Sequence, residues 1–291
     1  MLCVEGIALM ALVKRHPIIA FFLLAYALSW LGWPMWALGL YPNSVFGFGP
    51  FLGALLVLAI TNGKSGVVGL LRRMVRWRVG LGWYAVALLL PVGLALGATV
   101  LNVMLGARAP SSVELGSWPS LLVIFALVLL VPGLGGAWEE PGWRGYALPR
   151  LQTGRSALFA SLILGVLIVG WHLPLMVVGQ IHYSDVVLII AAVIVFNWVF
   201  NNARGSVLII MLMHASNNTI SGSFFSPMFS GADSVRQSWL LAVVWCVVAI
   251  VVILLAGPEN LSRKHKKQEV LSEPHRTSRG HEVRPQAQPQ A

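Results

Sequence analysis

Apolar runs broken by short polar and basic clusters recur from Ile18 to Ala256. Runs of about 18 or more such residues match the hydrocarbon thickness of a bilayer. They predict spans at 18–40, 46–62, 83–105, from near 121 into a polar motif, and then at 157–178, 186–200, 206–221 and 239–256. The expected fold class is all-α: a polytopic integral membrane protein with about eight transmembrane helices, in a domain over 17–256 with a motif core at about 120–222. Trp30, Trp33 and Trp36 recur at helical spacing near one end of the first span and read as interfacial anchors and packing residues. Between the second and third spans, Lys64, Arg72, Arg73, Arg76 and Arg78 lie among Leu and Val. That pattern predicts a short helix at the interface with its basic side toward lipid headgroups.

The two ends of the chain differ from this core. In the N-terminal segment 1–16, an apolar stretch with Glu5 inside it precedes Lys14, Arg15 and His16, the reverse of a secretory signal. A start at Met10 is compatible with the same pattern, and 1–9 are assigned no function. From 257 to 291 the chain is rich in Lys, Arg, Gln, Pro, Ser and Glu, a composition that cannot bury a core and predicts a disordered, basic, cytoplasmic tail.

Composition agrees with the hydropathy pattern: 57% of residues are hydrophobic, 10% are charged, and mean hydropathy is +0.79. The net charge of +10 does not point to nucleic acid, because the basic residues sit between spans and in the tail rather than on one amphipathic face. With a cytoplasmic N-terminus, every one of the 20 Lys and Arg except Arg108 and Arg236 falls on the inner side, as the positive-inside rule requires. Inverting the chain destroys that asymmetry. Both termini are therefore expected in the cytoplasm, with the chain in the plasma membrane and its oligomeric state open. Cys3 and Cys246 are far apart and define neither a disulfide framework nor a cysteine zinc site. No internal repeat suggests an inverted-repeat transporter.

Ionisable groups inside lipid-embedded segments are costly and mark function by default. They concentrate in three places: Glu139, Glu140 and Arg144 at the end of the fourth span, His172 in the fifth, and His214 with Asn217 and Asn218 in the seventh. His214 and Asn218 are four apart and share a helical face. Glu140 and Arg144 have the same spacing and are expected to pair, leaving Glu139 aimed elsewhere. With a turn around 153–155, Glu139 and His172 are nearly equidistant from it and are expected to meet across an antiparallel hairpin. Pro141 and Gly142 predict a kink or break beside the Glu pair, tolerated where the backbone is buried in protein or lines a wet cavity.

Two chemistries stay open for these groups. In one, Glu139 is base and later acid, His172 shares the proton or orients a water, and His214 and Asn218 donate to an oxyanion. In the other, Glu139, His172 and His214 are ligands of a catalytic Zn2+ with water in the fourth position. A local H-E-x-x-H zinc motif is absent.

Simpler readings apply to the neighbours. Trp138, Trp143 and Trp171 are expected to pack or anchor, and Arg150, Arg155 and Arg204 to set orientation. His182 and Asp185 read as solvated loop residues. Asn197, Asn201 and Asn202 either line the cavity or satisfy loop backbone.

The ordered triple Glu139-Glu140-Pro-Gly-Trp-Arg144-Gly-Tyr, Trp171-His172-Leu-Pro and His214-Ala-Ser-Asn-Asn218 resembles the signature of the CPBP intramembrane protease family, which groups CAAX prenyl endopeptidases with bacteriocin-processing enzymes. The resemblance covers about 47–221. It implies that Glu139 and His172 activate a water, that His214 and Asn218 support the oxyanion, and that Glu140 and Arg144 are motif partners. Two departures stand out: Ile168 occupies a position, four before His172, that is usually aromatic, and Pro141 follows the Glu pair directly. The expected activity is an intramembrane endopeptidase acting on a peptide or membrane-protein substrate. A membrane transporter and a non-catalytic immunity or scaffold protein are the competing classes, and a scaffold needs no reactive set drawn from three spans.

Overall fold

The computed structural model describes residues 2–262. Its helices run α1 (Leu2–Arg15), α2 (Pro17–Trp30), α3 (Gly32–Ala37), α4 (Gly49–Met74), α5 (Leu81–Met104), α6 (Ser112–Gly116) and α7 (Ser120–Leu130). An irregular stretch follows: a 3-10 turn Gly136–Glu139, α8 (Glu140–Gly142), a π-helical turn Trp143–Ala147 and α9 (Leu148–Leu151). Then come α10 (Ala157–Trp171), α11 (Leu173–Val177), α12 (Asp185–Asn202), α13 (Val207–Asn217), a π-helical segment Asn218–Phe225, a 3-10 turn Ser226–Met228 and α14 (Gly231–Ala256). Among the described residues there is no strand.

Among the described residues the chain is all-helical, with the several long apolar helices of a multi-pass membrane protein, and fewer than the expected eight spans are single long helices. Five helices among the described residues are long and apolar enough to cross a membrane: Pro17–Ala37, Gly49–Met74, Leu81–Met104, Asp185–Asn202 and Gly231–Ala256. The stretches expected to supply the others are broken into shorter pieces. Ser120–Leu130 and Ala157–Trp171 are apolar helices of 11 and 15 residues, and α13 passes into a π-helix at Asn218. Pro132 and Gly133 follow the end of α7, and motif residues His172 and Asn218 stand at the ends of α10 and α13, so hydropathy alone overstates the regular length of these segments.

The long helices expose large apolar side chains on one side and bury small residues together with a few large ones on the other. On α5, Ala87, Ala95 and Ala98 are buried while Leu89, Leu96 and Val100 are exposed. On α14, Leu254 is 77% exposed and Trp245 fully buried. Small inward residues let helix backbones approach closely, and outward Leu and Val suit lipid.

The basic segment after the second span is continuous with it in α4. Within α4 the backbone leaves helical geometry at Gly63, with φ 61°, a left-handed value that favours glycine. The kink separates the apolar first part of α4 from the part carrying Arg72 and Arg73.

Two tethers fix the site's surroundings. The carbonyls at the end of α10 accept from α2: Tyr26 donates its hydroxyl to Leu167, and Trp30 donates Nε1 to Trp171 at 3.0 Å. Trp30 is therefore an internal tether as well as an aromatic near the end of a span. At the start of α10, the Ala157 and Leu158 amides donate to the carbonyls of Glu259 and Pro258 at 2.7 and 3.0 Å. Asn201 and Asn202 donate to the Asn260 and Leu261 carbonyls, and Leu261 is fully buried. Residues 257–262 are thus packed onto the helical body, because orphan amides at a helix start need acceptors. The rest of the expected tail, 263–291, lies outside the described residues.

Candidate functional site

The first motif occupies the irregular stretch between α7 and α10. Pro141 takes the second position of α8, where its missing N–H leaves no intrahelical bond unmade. The predicted break is therefore realised as a passage from 3-10 to α to π geometry rather than as a loss of helix. This passage turns Glu139, Glu140 and Arg144 inward, and all three are buried.

Glu140 and Arg144 form the expected pair. Arg144 Nη1 donates to both oxygens of Glu140, at 3.1 and 2.9 Å. Glu140 has a second partner that spacing did not indicate: His214 Nδ1 stands 2.6 Å from Oε1. A carboxylate only accepts, so Nδ1 carries the proton and Nε2 is the free ring nitrogen. The His214 ring lies against Gly136, where a Cβ would overlap Nε2 and Cε1. Only glycine keeps that space clear.

Glu139 is treated differently. Trp143 Nε1 donates to its Oε2 at 3.2 Å, and the charge of His214 acts on it from nearby. The sequence reads Trp143 as a packing residue; it also donates to the Glu139 carboxylate, and the four-residue spacing from Glu139 is the available signal. It is fully buried, with Trp171 edge-on at 5.9 Å and Phe21 edge-on at 5.7 Å.

His172 caps the end of α10. Its Nδ1 lies 2.8 Å from the Ile168 carbonyl; a carbonyl only accepts, so Nδ1 carries the proton and Nε2 is left as an acceptor. Position 168 thus orients the histidine through its backbone, and the change from an aromatic side chain to Ile leaves that bond intact. His172 is within electrostatic reach of His214. Among the described residues no hydrogen bond joins Glu139 to His172.

Asn218 begins the π-helical segment directly after α13. Its side chain is half-buried and makes no hydrogen bond to another described residue, while Asn217 accepts from Ser221 at 3.4 Å. The site thus gathers Glu139, Glu140, Arg144 and His214 tightly, with His172 reached through the Trp143–Trp171 contact.

Residues outside the motifs complete the arrangement. Asn197 of α12 accepts from Arg144 Nε at 3.0 Å and donates to Ser161 at 2.8 Å. The Arg144 guanidinium lies 5.1 Å from the centre of the Phe196 ring, and His214 meets that ring edge-on at 5.7 Å. Asn197 therefore serves the site, and Asn201 and Asn202 serve loop backbone, dividing a choice that sequence left open.

For the metal alternative, no group of three or more His, Cys, Asp or Glu side chains among the described residues is placed to hold an ion. The set Glu139, His172 and His214 does not fit a zinc centre in this arrangement, and no step below is routed through metal.

Residues 117–220 match the family model described as type II CAAX prenyl endopeptidase Rce1-like. CAAX prenyl protease 2 of Methanococcus maripaludis is 28% identical over 102 residues, covering 31% of this chain and 38% of that relative. The matched part is well under half of the relative's length. The family match spans all three motifs, and the resemblance to the CPBP intramembrane protease family stands on it.

Proposed function

We propose that this chain is an intramembrane endopeptidase that hydrolyses a peptide bond in a membrane-associated or lipid-linked peptide. The observation that carries the reading is the unequal fate of two adjacent carboxylates. Glu140 is saturated by Arg144 and His214, while Glu139 is buried with a single indole donor.

Peptide hydrolysis needs an activated water, donors for the oxyanion and a proton for the leaving nitrogen. His172 Nε2, unprotonated, accepts one hydrogen of a water and orients it; Glu139 accepts the other proton as the oxygen adds to the carbonyl carbon. The carbonyl oxygen gains the electron pair and faces His214 Nε2 and the Asn218 amide. Donation from Nε2, while Nδ1 donates to Glu140, requires both ring nitrogens of His214 to be protonated, with Glu140 as the counter-charge. Glu139 then passes its proton to the leaving nitrogen as the carbon–nitrogen bond breaks.

A prenylated C-terminal peptide, the class named for the Methanococcus relative, is one substrate this chemistry suits. Leader peptides and membrane-protein segments present the same amide. Mass spectrometry of peptides accumulating in cells that carry Glu139→Gln identifies the substrate. A parent protein that accumulates solute in vesicles, cleaves no such peptide and loses transport on Glu139→Ala overturns the reading in favour of a carrier.

A further inference from the structure

A chain of buried polar groups runs away from the proposed reaction centre and ends on α10. Ser161 donates its hydroxyl to the Ala157 carbonyl at 2.7 Å, so only its lone pairs remain for Asn197 Nδ2. Arg144 Nε can only donate, which obliges Asn197 to present Oδ1 to it and Nδ2 to Ser161. The amide has one orientation that satisfies both neighbours.

That orientation locks the guanidinium. Arg144 is held on one edge by Asn197 and on another by Glu140, with the Phe196 ring 5.1 Å from its carbon. Glu140, Asn197 and Ser161 are fully buried and Arg144 is 3% exposed. Water is not at hand to replace a missing partner, and an unpaired buried donor is costly. Rotation of Arg144 would carry Glu140 with it, and Glu140 is the group that holds His214.

Resting on the endopeptidase reading, we propose that Asn197, seated by Ser161, is a positioning residue. Its amide fixes Arg144, which fixes Glu140 and through it the His214 ring over Gly136. It touches neither substrate nor reacting atoms, so its loss lowers turnover while leaving substrate affinity alone.

The test uses the full-length protein in lipid nanodiscs and a synthetic copy of a peptide that accumulates with Glu139→Gln. Asn197→Leu keeps the branched outline of the side chain but removes its donor and acceptor; a misplacement on the order of 1 Å costs roughly 10²-fold, so kcat should fall by about 10- to 100-fold with KM within about twofold. Asn197→Asp restores an oxygen facing Arg144 Nε and should recover most of kcat. In parallel, histidine-selective 15N NMR, assigned with His214→Ala, should show a hydrogen-bonded Nδ1–H of His214 that is lost in Asn197→Leu and kept in Asn197→Asp.

Full kcat in folded Asn197→Leu overturns the proposal, as does an unchanged His214 resonance. If the parent cleaves no peptide, the resonance still decides: its loss in Asn197→Leu alone sustains the positioning role while the protease reading fails. Should Asn197→Leu not fold, Ser161→Ala leaves Oδ1 in place but frees the amide, and it should lower kcat and broaden the resonance. No change in either measurement overturns the proposal.

Discussion

His214 Nδ1 meets Glu140 Oε1 at 2.6 Å across a separation of 74 residues. This contact joins the first and third motifs and gives Glu140 two side-chain partners, Arg144 and His214, rather than one. In the proposed reaction Glu140 is thereby withdrawn from proton transfer, and the role of base belongs to Glu139, whose one side-chain donor among the described residues is the Trp143 indole.

The two carboxylates should therefore fail differently. Glu140→Ala leaves Arg144 buried without its partner, a loss of about 3–5 kcal/mol for broken buried pairs. A large drop in thermal unfolding temperature or in yield of folded protein is expected. An unfolding temperature equal to that of the parent would contradict the assignment.

Glu139→Gln keeps an oxygen for the Trp143 indole and removes only the base. Folding should be unaffected, while peptide cleavage should fall by about 10²–10⁴-fold, the range for a general base. Retained cleavage in the purified variant would remove Glu139 from the reaction.

Gly136→Ala places a methyl where the His214 ring lies. The ring must shift away from its position over residue 136, and kcat should fall by roughly 10-fold or more with the helical content unchanged. Parent-like turnover would show that the space before Nε2 is not used.

Exhaustive chelation should leave cleavage intact, since no group of three or more His, Cys, Asp or Glu side chains among the described residues is placed to hold an ion. Elemental analysis with activity assays checks this. Activity lost on chelation and restored by Zn2+ would establish the metal alternative for Glu139, His172 and His214.

A pH effect is expected far from the site, at α6. Ser111 caps this helix and Glu114 returns bonds to Ser111 and to Arg108. The hydrogen bonds from Arg108 and Ser111 hold the Glu114 carboxyl down to about 2 from an ordinary 4.5. A depressed carboxylate stabilises the folded form above the unfolded pKa, and that contribution is lost as pH falls from about 4.5 through about 2. Amide exchange in 111–116 should stay protected at neutral pH and rise across that interval, and Glu114→Gln should abolish the dependence.

Much of the site was legible because the motif residues are ionisable groups in apolar surroundings. Glu139, Glu140, Arg144, His172 and His214 stand out in such a chain, and the Glu140–Arg144 bond follows from a four-residue helical spacing. Trp143, Gly136, Phe196 and Ser161 did not stand out. Each is an ordinary residue for a membrane helix, and its role depends on which neighbour it meets.

The sequence by itself determined an all-helical membrane chain, the basic segment beyond Gly63 and the chemical inventory of the site, since hydropathy and helical spacing are local properties. Only the tertiary structure decided the partner of Glu140, the inward turn of Asn197 and the docking of 257–262. Those contacts join residues dozens of positions apart, and which buried donor finds which acceptor is settled when helices pack and every polar group must be satisfied. The same packing breaks the helices around the motifs, which give up regular geometry at 136–147 and 218–225 where their side chains meet.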